Sequence, residues 1–158
     1  MLENLITDRT LADVEAVKRL TEAIKNGTAT AEQVHAYLNV HQKGAYTCED
    51  LNRVEAAVAY VVNRLKDFGY YPAIYPVATW SVEGKPNKQY FDRYFWNVAQ
   101  IRDAIAVWKY TPQVPDSIAN FDVNKANALE QILVDVDQIL NHIQAAWCYI
   151  GDIYFGEV

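Results

Sequence analysis

The sequence predicts an all-α fold, a helical bundle of three long and two shorter helices. Three observations carry this. Apolar residues recur at alternating spacings of three and four over long stretches, the period of one helix face. Threonine or aspartate stands just ahead of those stretches, where a side-chain oxygen can cap the free amides of a first turn. Glycine or proline follows them, where a helix must end.

The first helix begins behind Thr10, with Asp13 three residues on completing a box-like cap. Leu11, Val14, Val17, Leu20 and Ile24 share one face, and Asn26-Gly27 ends the run. On the other face Glu15 and Arg19 stand four apart, as do Lys18 and Glu22. A second, short helix runs from Ala31 to about Val40 behind Thr30, with Val34, Tyr37 and Leu38 as its apolar contacts. Thr47 caps the third helix, with Asp50 three residues later. Its seam is Leu51, Val54, Val58, Val61, Leu65 and Phe68, sustained over more than four turns and stopped at Gly69.

From Tyr70 to Asn87 the character changes, because Pro72 and Pro76 break helicity and push the preceding residues toward extended geometry. The stretch Ile74 to Trp80 reads as extended, and a loop of this length usually serves function or assembly. A fourth helix carries Phe91, Tyr94, Val98, Ile101, Ile105 and Trp108, with Phe95 and Trp96 widening its apolar face. The prolines of Thr111-Pro112-Gln113-Val114-Pro115 stiffen a second connection and set how the last two helices meet. The last helix spans about Asp122 to Tyr149, with a seam of Leu129, Ile132, Val136, Ile139, Ile143 and Ala146 or Trp147. The alternating tail after Gly151 suggests a small β ribbon formed with the 70–86 loop. The organisation expected is one domain over 1–158: a helical arm or cover (1–44), a main bundle (45–150) and a tail (151–158).

The chain has 158 residues, 51% of them hydrophobic and 22% charged, enough for a core that needs no disulfide or metal staple. A net charge of −6 argues against phosphate-driven nucleic-acid binding and against anionic membranes. No apolar run approaches the length of a membrane span, and no secretory signal is visible at the start. Cys48 and Cys148 form no CxxC motif and read as partly buried free thiols, with a disulfide between them left open by the sequence.

Chemistry is hard to find. His35, His41 and His142 sit in no metal-ligand spacing, and Glu32 with His35 is a lone Glu-x-x-His pair on a short helix. Asp135 and Asp137 point to different sides of one helix. Ser81 and Ser117 lack a nucleophile-elbow context, and no glycine-rich phosphate loop occurs. No catalytic, cofactor-binding or metal residue is assigned. Asn97 and Gln100, with Asn124, Asn127, Gln131, Gln138 and Asn141, form a carboxamide-rich set that suits either a solvated face or a hydrated protein interface. With 11 Tyr and 4 Trp, the chain holds more amphipathic rings than a small core readily satisfies. Tyr71, Tyr75, Trp80, Tyr90, Tyr94 and Trp96, grouped around the long loop, are the candidate partner surface.

A further set of segments carries a resemblance. They are Thr7-Asp8-Arg9-Thr10 with Asp13-Val14, Lys43-Gly44-Ala45-Tyr46, Asp50-Leu51-Asn52-Arg53-Val54-Glu55, Thr79-Trp80-Ser81, Ile101-Arg102-Asp103-Ala104, Thr111 to Asp116, and Ala126 to Asp137. In this order they resemble a helical module of uncharacterised phage tail-region (tail fibre or baseplate) virion proteins of Gram-positive hosts. Glu83-Gly84-Lys85-Pro86-Asn87 departs from the acidic-proline turn usual after the Trp. The resemblance implies a non-enzymatic virion structural protein, a connector or adhesion module working by protein–protein contacts and made in the host cytoplasm. The expected partners are other virion proteins and further copies of the chain, with no cofactor, nucleic acid or membrane insertion. A capsid decoration or head-fibre protein, and a small intracellular helical enzyme or regulator, are the alternatives.

Overall fold

The computed structural model describes residues 2–84 and 87–151, with side chains through residue 146. Among the described residues there are five α-helices, α1 (Leu11–Lys25), α2 (Ala31–Asn39), α3 (Cys48–Asp67), α4 (Lys88–Asp103) and α5 (Val123–Gly151), preceded by a 3₁₀ turn at Leu2–Asn4. The threonine caps form as the spacing predicts. Thr10, Thr30 and Thr47 each build a reciprocal capping box, with Asp13, Gln33 and Asp50 respectively. Asn87 caps α4, and Asp122 accepts the Lys125 amide at 2.9 Å to open α5. Gly69, with φ +84°, takes the left-handed conformation that closes α3.

The core is the α3–α4–α5 bundle, closed within one chain. Val54, Val61 and Leu65 of α3, Val98 and Ile101 of α4, and Leu129, Ile132, Leu133 and Val136 of α5 are fully buried. All three helices run in the same direction. Asp50 and Arg53 meet Glu130, whereas Arg64, further along α3, meets Asp137 and Asn141, further along α5. Tyr46, just before α3, bonds Tyr94 in the first half of α4. Helices joined in this sense need a return crossing of the whole bundle, unlike the short turns of an up-down arrangement. That is why the connectors are long. The 68–87 connector travels back along α3 and α4, from the Tyr70 amide on Leu65 O to Trp80 beside Asn52 and Phe91. The 104–122 connector returns to Phe121, which packs on Tyr46 at 4.9 Å.

Several sequence expectations are corrected. Residues 74–80 form no strand, so no ribbon forms there; its proposed partner, the tail 152–158, lies outside the described residues. The α4 helix ends at Asp103, not at Trp108. Beyond it the chain doubles back, held by Arg102 Nε donating to Pro112 O at 2.8 Å. The apolar faces of α1 and α2 bury no residue, and Leu11 and Leu38 are exposed. These two helices pack on each other as an arm beside the bundle. Cys48 is a half-buried free thiol; the Cys148 side chain lies outside the described residues.

Candidate functional site

The 68–87 connector and the segment before α1 are bound by a repeated device. An asparagine amide presents one acceptor and two donors, so it can grip both polar groups of a single peptide-bearing residue. Asn97 of α4 accepts the Tyr75 amide at 2.9 Å and donates to Tyr75 O at 3.1 Å. Asn52 of α3 does the same for Trp80, at 2.7 and 2.9 Å. Asn127 of α5 does it for Arg9, at 3.0 and 2.9 Å. Each core helix thus holds both backbone polar groups of one residue in a non-helical segment, as a neighbouring strand would. Asn97, fully buried, and Asn127, half-buried, belong to this scaffold and not to the carboxamide surface expected from sequence.

The clamps divide the six candidate aromatics. Trp80 and Tyr94, only 8% and 1% exposed, lie in the core and present no partner surface, which corrects their assignment. Trp80 stacks among Phe91, Tyr94 and Tyr90, and its Nε1 donates to Glu55 Oε1 at 3.1 Å. Tyr71, Tyr75, Tyr90 and Trp96 remain exposed. Tyr75 and Trp96 stand 6.3 Å apart, ring centre to ring centre, over an open groove of about 410 Å³ completed by Gln89, Asp92 and Arg93. The groove floor is rigid. Arg93 pairs with buried Glu55 and donates to Pro76 O at 3.1 Å, and Trp96 Nε1 donates to Ala73 O at 3.3 Å.

A second polar centre lies where the arm meets the bundle. Arg9 Nη2 donates to Asp50 Oδ1 (2.9 Å) and Glu130 Oε1 (2.7 Å), and Arg53 Nη2 donates to the same two oxygens (2.5 and 3.0 Å). Glu130 Oε2 also accepts the Ile6 amide at 2.6 Å. His41 Nε2 lies 3.0 Å from Asp50 Oδ1, placing its proton on that nitrogen. Burial pushes the Asp50 carboxyl up, but the Thr47 amide, His41 and Arg53 outweigh it and hold the group at about 2. So occupied, Asp50 has no proton to give near neutrality. Burial likewise drives the Tyr46 and Tyr94 hydroxyls, bonded to each other at 2.7 Å, well above the ordinary phenol range. The arrangement is a closed knot of two guanidinia and two carboxylates, suited to fixing four chain segments in place.

A third buried carboxylate, Asp135, accepts from Thr111 Oγ1 at 2.6 Å and Gln131 Nε2 at 2.7 Å and so pins the 104–122 connector. Asp137, two residues on, faces the other way to Arg64. Sequence reading missed Arg9 and Glu130. The available signal was Glu130 itself, which interrupts the apolar row Ala126–Leu133 on a helix otherwise buried along that side. Among the described residues no group of three His, Cys, Asp or Glu side chains is placed to hold a metal, and no helix is long and apolar enough to cross a membrane. Comparison with protein-family models, curated proteins and solved structures gave no match.

Proposed function

We propose that this chain is a non-enzymatic structural component of a phage virion, acting in the tail, baseplate or fibre region as a connector or adhesion module. The observation that carries the contact role is the exposure of Tyr71 and Tyr75 on the connector that Asn97 and Asn52 lock to the bundle, and of Tyr90 and Trp96 on α4 itself. Large rings held still lose little entropy on docking, which is why anchored aromatics dominate interface energies. The ordered run of segments resembling tail-region proteins supplies the virion setting. The partner is another virion protein, met through the Tyr75–Trp96 groove.

Two measurements test this. Antibody labelling of intact particles of the parent phage should place the protein on the tail; label on the head would replace the tail reading with capsid decoration, and unlabelled particles would refute both. Trp96→Ala and Tyr75→Ala should release the protein from particles while leaving its melting temperature within a few degrees, as expected for exposed positions. Retention by both variants would remove the groove from the interface.

A further inference from the structure

We propose that residues 152–158 of one copy dock in a cleft at the arm end of a second copy, joining molecules head to tail. This goes beyond the aromatic groove and uses none of its residues. The cleft, about 350 Å³, lies between the end of α2, the start of α3 and the 68–87 connector. Four apolar side chains from two distant segments converge on it: Tyr37, Leu38 and Val40 from one, Val82 from the other. Leu38 is 72% exposed, Val40 58% and Val82 92%. Scattered single apolar residues on a surface need no explanation, but a converging set around a concavity marks a contact site.

The occupant follows from where the chain goes. Residues 152–158 contain Ile153, Tyr154 and Phe155 in succession, an apolar run in a short segment leaving the end of α5. The cleft sits at the opposite end of the bundle, because His41 on its wall bonds Asp50, and Asp50 shares Arg9 and Arg53 with Glu130 near the start of α5. From Glu130 to Gly151 the helix rises about 32 Å. Seven residues, fully extended, reach at most about 25 Å. The segment therefore falls short of the cleft on its own molecule, and the three parallel helices put the two features at opposite poles. A contact between unlike surfaces of identical chains is heterologous, and it propagates into a ring or filament.

Sedimentation of the full chain should show mass rising beyond a dimer with concentration. A chain truncated after Gly151 should stay monomeric, as should Leu38→Glu and Val82→Glu, whose side chains are exposed and lie on different segments. Mixing the truncated chain, which keeps its cleft, with Leu38→Glu, which keeps its tail, should restore a one-to-one pair and nothing larger. A monomeric full chain, association that survives truncation, or a mixture that forms no pair would each overturn the proposal.

Discussion

Replacing Asn97 tests the strapping device where its geometry is fully defined. The side chain is buried, and Asn97→Ala removes two hydrogen bonds to one residue of the 68–87 connector. At about 1 kcal/mol net per bond, and with a small cavity left in α4, the loss should be about 2–3 kcal/mol. The lower part of that range is expected, because Tyr75 is 55% exposed and its freed peptide groups can find water. Asn97→Asp is the sharper variant. It keeps the acceptor for the Tyr75 amide but turns an oxygen toward Tyr75 O, and it buries a carboxylate. It should cost more than alanine near neutrality and recover in mild acid, when a protonated carboxyl can donate to Tyr75 O. Urea unfolding measures the global loss, and hydrogen exchange at the Tyr75 amide reads the clamp itself. That amide should exchange much faster in Asn97→Ala, with α3 core amides following only the global change. Unchanged exchange at Tyr75, or an aspartate variant indifferent to pH between neutrality and mild acid, would refute the reasoning.

Trp80→Ala should cost about 3–5 kcal/mol in urea unfolding, the expectation for a buried tryptophan, since the ring packs on Phe91 and Tyr94. Acid titration should expose Asp50. Its folded-state value of about 2 lies below the ordinary 3.8, so its stabilisation is present above 3.8 and disappears as pH falls through about 2. That contribution amounts to about 2 kcal/mol, and Asp50→Asn should flatten the stability–pH profile over that window. At Gly44 an added Cβ would run into the Asp13 carbonyl and sit 2.6 Å from the Val14 nitrogen, both backbone groups. Gly44→Ala should therefore cost at least about 1–3 kcal/mol by overpacking, with the loss of exchange protection concentrated in α1.

The helices were legible because their signals are local. Thr10, Thr30 and Thr47 announce their caps within four residues, and the α3 seam from Leu51 to Leu65 is buried as its spacing requires. The α4 boundary was not legible, since no glycine or proline stands near Asp103. What ends the helix there is the crossing of the 104–122 connector and the reach of Arg102 to Pro112, which is tertiary information. The same limit explains the aromatic set. Tyr94 and Trp96 are two residues apart on one helix and so face different ways; which of them points inward depends on where α3 lies. The carboxamides show the limit most clearly. Asn97 and Asn124 are identical in composition terms, yet one grips a peptide in the core and the other is exposed.

The parallel sense of α3, α4 and α5 imposes an electrostatic asymmetry that bears on assembly. Three aligned macrodipoles place three amide-rich helix starts at one pole. Carboxylates stand there, Glu49 and Asp50 in the first turn of α3, Asp122 capping α5 and Glu130 about two turns further in, and so do Arg9, Arg53, Lys88 and Lys125. At the other pole α3 ends with Arg64, Lys66 and Asp67, and α4 with Arg102 and Asp103. An up-down bundle would alternate the termini. Here the helix starts stand together at one pole and the helix ends at the other, while side-chain charges of both signs stand at each. A molecule whose core helices all start at one end, with its arm and apolar cleft beside those starts, has no surface at that pole that repeats at the other. Its long-axis contacts with further copies are thereby biased toward unlike ends meeting, and that is the contact the truncation and mixing experiment reads.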